Sequence, residues 1–131
     1  MTDASMIRVL IVEADDAVRS GLLAFLEDYG FDVSACPDAE EARDLMKAAP
    51  FHVCIVDPEL PGFNGEELIL LASTRFLGQK YIIHTSSVAY TLTPELDALG
   101  IRPEHVFRKP IRAPNLLVKL IKELTPQASD R

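Results

Sequence analysis

The sequence predicts an α/β fold: a sheet of five parallel strands, doubly wound, with helices on both faces. Two observations carry that expectation. The runs IRVLIV, HVCIV and YIIHT are almost continuously apolar and β-branched, as expected of strands buried on both faces rather than half-exposed ones. Between them, apolar residues recur at helical spacing inside segments bounded by capping residues, glycine or proline. Strands alternating with helices imply right-handed crossovers and a covered parallel sheet.

The first strand runs from Ile7 to Val12. After it, Val18, Leu22, Phe25, Leu26 and Tyr29 form a helical stripe that Gly30 terminates. Phe31 to Cys36 alternates more and reads as the second strand. Asp38 followed by Glu41 has the spacing of a capping box, and Ala42, Leu45, Met46 and Ala49 continue as a stripe up to Pro50. His52 to Val56 is the third strand. A short helix after Gly65 is expected to turn Leu68, Leu71 and Ala72 inward, and Tyr81 to Thr85 is the fourth strand. Thr93 and Pro94 suit an N-cap and first helical position, so a short helix over 95–99 follows. His105 to Arg108 is a short fifth strand. A last helix from Ala113 and Pro114 is expected to bury Leu116, Leu117, Leu120, Ile121 and Leu124. The whole of 1–131 is expected to be one domain with a core over about 7–124 and a loose tail, 125–131.

Length and composition bound the function. A chain of 131 residues with 48% hydrophobic and 25% charged residues can bury a real core. A net charge of −7 argues against binding nucleic acid through phosphates and against an anionic membrane surface. No apolar run is long enough to span a bilayer, and the N-terminus lacks the pattern of a secretory signal. Cys36 and Cys54 lie beside or within apolar segments, so they read as reduced core residues, and a cytoplasmic location is expected.

In such sheets the binding crevice lies beyond the carboxyl ends of the strands. Strand one delivers Glu13, Asp15 and Asp16 there, strand three Asp57, strand four Thr85, Ser86 and Ser87, and strand five Lys109 before Pro110. A carboxylate closing a buried strand, as Asp57 does in CIVDPELPG, is costly unless solvated, paired or metal-bound. Each residue also has a plainer reading. Asp57 suits a turn cap before Pro58 and Pro61, Lys109 a surface lysine, and Asp16 the N-cap of the first helix. Thr85 and Ser86 suit strand-end backbone groups. His84 reads as a hydrogen-bonded core residue, while His52 and His105 read as strand-edge residues without partners.

From about Ile7 to Leu124 the set resembles the response regulator receiver domain of two-component signalling. The most specific segment is DPELPGFNG, joined by Ser86 and by RKPI around Lys109. The resemblance implies the flavodoxin-like strand order 2-1-3-4-5 and a signalling domain rather than an enzyme. It implies Asp57 as the phosphoacceptor, Lys109 and Ser86 as the groups that contact the phosphoryl oxygens, and Mg2+ held by Glu13, Asp57 and the backbone or side chain of Glu59, with Asp15 as a substitute ligand one residue past the expected position. It implies a histidine kinase or phosphotransfer protein as donor, and a downstream protein or separate output domain as receiver of the signal. The domain would act alone or as a homodimer, without nucleic acid or membrane.

The chemistry suits these residue types, because phosphoryl transfer to a carboxylate needs an in-line nucleophile and neutralisation of charge on the transferred group. Several residues depart from the family. Ala14 stands where the second acid of the pair after strand one is expected. Val106 replaces the usual aromatic three residues before the lysine, and Ser87 the usual small residue after the switch hydroxyl. Two other readings therefore stand beside a phosphorylatable receiver: a receiver-like module that works by protein contact alone, and a flavodoxin-like cofactor binder. The last lacks a hydroxyl- and glycine-rich loop after strand one. The chain ends with its fifth helix, so the expectation is either a stand-alone receiver or a piece of a longer protein.

Overall fold

A computed structural model of the chain describes residues 7–126. Five strands, β1 (Arg8–Val12), β2 (Asp32–Cys36), β3 (Val53–Val56), β4 (Lys80–Thr85) and β5 (Val106–Arg108), form one parallel sheet in the order β2-β1-β3-β4-β5. The helices are α1 (Asp16–Asp28), α2 (Ala39–Ala48), α3 (Gly65–Arg75), α4 (Pro94–Ala98) and α5 (Pro114–Leu124).

The apolar runs lack alternation because both faces of the central strands are covered. Val9, Ile11, Val53, Ile55 and Ile82 pack under α1 and α5 with Leu26, Leu117 and Ile121. Leu10, Val12, Cys54, Val56 and Ile83 face the other way, against Ala42, Met46, Leu68, Ile69 and Leu96 of α2, α3 and α4. β2 lies at an edge, and its middle residues are only half-buried, hence its more alternating sequence. Cys36 and Cys54 are buried free thiols, and burial pushes the Cys36 pKa up to about 12. Among the described residues no helix is long and apolar enough to cross a membrane.

Several sequence expectations need correction. Leu71 and Leu116 are 53% and 51% exposed. The buried stripes are Gly65, Leu68, Ile69 and Ala72 on α3, and Leu117, Val118, Leu120 and Ile121 on α5. Leu71 and Leu116 each lie about 100° around the helix from the middle of that stripe, as 3.6 residues per turn requires. The N-cap of α1 is Asp15, whose Oδ1 accepts from Val18 N at 3.0 Å, and Asp16 is already helical and paired with Arg19. His105 belongs to a 3-10 turn (Pro103–His105) rather than to β5, since proline opens the turn and His105 Nδ1 accepts from Arg102 N at 3.0 Å. His52 also has a partner, accepting from Arg8 N through Nδ1 at 2.9 Å. Of the tail expected to be loose, Thr125 is buried and donates its hydroxyl to Ile121 O at 2.8 Å, and 127–131 lie outside the described residues.

Candidate functional site

Three strand ends meet at the carboxyl edge of the sheet. β1 continues into Glu13, whose amide still bonds Cys36 O at 3.0 Å, so its side chain leaves the sheet from a fixed backbone. Arg19 reaches back from α1 and donates to Glu13 O at 2.8 Å, clamping the turn. β3 continues into Asp57, whose amide bonds Val12 O at 3.2 Å. Lys109, following β5, is held by its amide to Thr85 O at 2.8 Å and precedes a cis peptide bond to Pro110.

The side chains converge. Lys109 Nζ lies 2.7 Å from Asp57 Oδ2 and 2.6 Å from Glu13 Oε1, bridging the two carboxylates. Asp57 is 8% exposed and Glu13 2%, so this is a nearly dry cluster. Such carboxylates persist only when paired and hydrogen-bonded. Asp57 Oδ1 accepts from Glu59 N at 2.8 Å, and Glu13 Oε2 from Asp15 N at 3.0 Å. Glu13 Oε1 has the ammonium as its charge partner but no well-aligned hydrogen bond among the described residues. Burial pulls the Lys109 pKa down, yet the Asp57 hydrogen bond and the close negative charges of Asp57 and Glu13 outweigh it and hold the value above the ordinary one.

His84 on β4 sits beneath this cluster, buried, with Nδ1 3.9 Å from Glu13 Oε1. That separation is too long for a hydrogen bond, so the hydrogen-bonded state expected from sequence does not form among the described residues. Burial first, and Lys109 second, lower its pKa to about 4, which keeps the ring neutral. Thr85, the last residue of β4, is fully buried and its Oγ1 accepts from Ser87 N at 3.0 Å. Ser86 is exposed one residue further on, its hydroxyl without a hydrogen bond to Asp57.

The third wall is the start of α3. Asn64 caps it through a reciprocal pair: Oδ1 accepts from Glu67 N at 2.9 Å, while Asn64 N donates to Glu67 Oε1 at 3.2 Å. Gly65 then passes so close to the strand end that a Cβ there would lie 2.0 Å from the Asp57 carbonyl oxygen. Glycine is required by that approach rather than by its φ.

The structure thus brings Asp57, Lys109 and Glu13 together. The Asp15 carboxylate is spent on the helix cap, and Glu59 meets the cluster through its backbone, whose amide donates to Asp57 Oδ1, while the residue is otherwise exposed. Arg19, His84 and Gly65 were not singled out as site residues by sequence reasoning. The Asn64–Glu67 box was legible as an N-x-x-E spacing, whereas the Arg19 clamp and the Gly65 approach depend on tertiary placement.

Comparisons with known proteins agree with this geometry. The model of the response regulator receiver domain family matches residues 9–122. The response regulator receiver protein CpdR of Brucella abortus is 29% identical over 119 residues, covering 91% of this chain and 98% of that one. The regulatory protein VanRB of Enterococcus faecalis is 40% identical over 63 residues, 48% of this chain but 29% of that longer one. The two-component response regulator-like protein APRR5 of Arabidopsis thaliana is matched over only 12% of its length, so the chain spans a minor part of several relatives. The fold superimposes on the chemotaxis protein CheY4 of Vibrio cholerae with a TM-score of 0.77 at 24% identity, over 91% of this chain and 98% of that one.

Receiver domains are signalling domains, generally not classed as enzymes, that interact with histidine kinases and downstream effectors and bind Mg2+ at the phosphorylation site. The donor set here does not fit that ion well. Mg2+ asks for octahedral oxygen coordination. Ala14 contributes no carboxylate, Glu13 and Asp57 are tied to Lys109, and no group of three or more potential ligand side chains is gathered for a metal among the described residues. With a family match across nearly all of its described length, and a paired aspartate and lysine at the carboxyl edge of a 2-1-3-4-5 sheet, the chain belongs to the response regulator receiver domain family.

Proposed function

We propose that this chain is a single receiver domain that accepts a phosphoryl group on Asp57 from a histidine kinase or phosphotransfer protein. In this reading it signals through a change at the surface around the β4–α4 loop and β5. The observation that carries it is the 2.7 Å contact between Lys109 Nζ and Asp57 Oδ2 at the carboxyl end of β3. A carboxylate oxygen of Asp57 attacks phosphorus, the bond to the donor nitrogen or oxygen breaks, and the donor leaves with that electron pair. Lys109 follows the transferred oxygens as a compact charge on a flexible stem. Ser86, exposed and uncommitted beside the strand end, supplies a hydroxyl donor to one of them, with Thr85 as the neighbouring hydroxyl. Two buried free thiols support a cytoplasmic location.

Intact mass after incubation with acetyl phosphate and magnesium tests this directly. Wild type should gain one phosphoryl group and Asp57→Asn none. Labelling that survives in Asp57→Asn moves the site, and unlabelled wild type favours a second reading. That second reading, a receiver that works by protein contact alone, draws on Ala14 and on the commitment of Asp15 to its cap. A flavodoxin-like cofactor binder finds no support in a β1–α1 turn whose acidic groups are spent within the chain.

A further inference from the structure

We propose that the cleft between α1 and α5 binds a small uncharged molecule, largely apolar and carrying one hydroxyl or N–H group, with His84 as its hydrogen-bond acceptor. The cleft has a volume of about 510 Å³, within the range of about 300–1,000 Å³ usual for small-molecule sites. Val18, Leu22 and Phe25 line it from α1, and Ile111, Pro114 and Leu117 from the side of α5. Such sites are mostly apolar, with a few polar groups that orient the ligand. Here His84 and Lys109 are the polar side chains of the lining. Lys109 brings no free positive charge, because its ammonium is held by Glu13 and Asp57. His84 is buried, and its ring makes no hydrogen bond among the described residues.

A buried polar group without a partner is costly, and this one faces space that the chain leaves unfilled. The tautomer of His84 follows from its neighbours. Burial keeps the ring neutral, and Nδ1 lies 3.9 Å from Glu13 Oε1, a buried oxygen that has no hydrogen bond of its own among the described residues. That negative oxygen favours the proton on Nδ1, which leaves Nε2 as an acceptor on the other edge of the ring. The occupant therefore donates. Two carboxylates against one ammonium leave the neighbourhood negative, which repels an anion, while apolar walls give a cation nothing to replace its water. A lone water is a poor substitute, because it needs about two to four polar partners and those walls offer none. Gly21 keeps the α1 side open. Its φ is not positive, and a Cβ there would meet nothing within 4 Å, so neither backbone nor packing demands glycine inside this helix. A larger side chain at that position would occupy the cleft, whose lining includes Gly21.

This site goes beyond the phosphoacceptor reading and is tested without it, on the unphosphorylated protein. Indole and 1-methylindole have nearly the same shape, but only indole donates a hydrogen bond. Indole-3-carboxylate keeps the N–H and adds a negative charge. Each is titrated into wild type, Gly21→Leu and His84→Leu, with backbone amide shifts as the readout. Wild type should bind indole saturably, with shifts centred on residues 17–25 and 111–117. It should bind 1-methylindole roughly 2- to 10-fold more weakly, the ordinary net worth of one hydrogen bond, and indole-3-carboxylate more weakly than indole. Gly21→Leu should abolish the indole shifts, and His84→Leu should erase the preference for indole over 1-methylindole. No saturable binding of indole to wild type, shifts that map elsewhere, or equal affinity for indole and 1-methylindole each overturns the site. Undiminished indole binding by Gly21→Leu overturns it as well. That variant projects into open space from a helix, so it keeps the test decisive where His84→Leu fails to fold.

Discussion

Ala14 sits between Glu13, which reaches the cluster, and Asp15, which is spent on a helix cap. Ala14→Asp restores a carboxylate where the donor set lacks one, and each oxygen ligand counts for an ion that dehydrates reluctantly. Mg2+ affinity should rise about tenfold, or ~1.4 kcal/mol, measured by calorimetric titration of both proteins. The new charge beside Glu13 and Asp57 should at the same time slightly destabilise the metal-free fold, because like charges in one site oppose each other. Equal affinity in the two proteins means that another group already completes the coordination, and Glu59→Ala is then the substitution that identifies it.

Two glycines on helices make opposite demands on the elements they occupy. Gly65→Ala drives a methyl group into the Asp57 carbonyl and the Val56 side chain, at 2.0 and 2.8 Å. Backbone has to shift to admit it, and the cost should be about 1–3 kcal/mol or more, read from the urea midpoint. Gly21→Ala, inside α1 with nothing within 4 Å, should instead stabilise by about 0.5–1 kcal/mol through helix propensity. A Gly65→Ala protein as stable as wild type sinks the claim that α3 is wedged against the strand end. The same contrast shows what was legible in sequence. Strands buried on both faces announce themselves by composition, so β1, β3 and β4 were read within a residue or two of their ends. Asp57 and Lys109 were legible because each follows such a strand. Helix stripes were less so: a run such as Leu116–Leu117 contains apolar residues at adjacent positions, and only packing decides which one turns inward. Ala14 was visible as a missing acid, but the diversion of Asp15 to its cap was not, since Asp15 and Asp16 are both good capping residues.

Across the whole molecule, all three histidines resist protonation. Burial lowers the pKa of His52, His84 and His105, with His84 reaching about 4. The unfolded chain takes up protons below about pH 6.5 that the folded chain refuses. Stability is therefore fully present above the unfolded value and is lost as pH falls from about 6.5 through about 4. Between pH 7 and pH 5 the His84 share should be on the order of 1–2 kcal/mol. Denaturation midpoints at the two pH values should show a smaller drop for His84→Leu than for wild type. Equal drops in both proteins would mean that His84 is not held neutral by the fold.

Of the five strands of this sheet β1 is synthesised first, yet it lies inside the sheet with a neighbour on each side. Its partners arrive at different times: Val9 pairs with Val33, 24 residues later, and with Val53, 44 residues later. The extra chain to be closed for the second pairing costs only about 0.5 kcal/mol, so entropy scarcely ranks the two events. Order of synthesis does. As the chain grows, β1 can acquire its edge neighbour β2 and one covering helix, but the flank it presents to β3 stays unpaired until residue 56 has emerged. For that interval a strand whose last four residues are apolar and buried in the finished fold carries an open row of backbone donors and acceptors, the feature that makes nascent parallel sheets prone to pairing with the wrong chain.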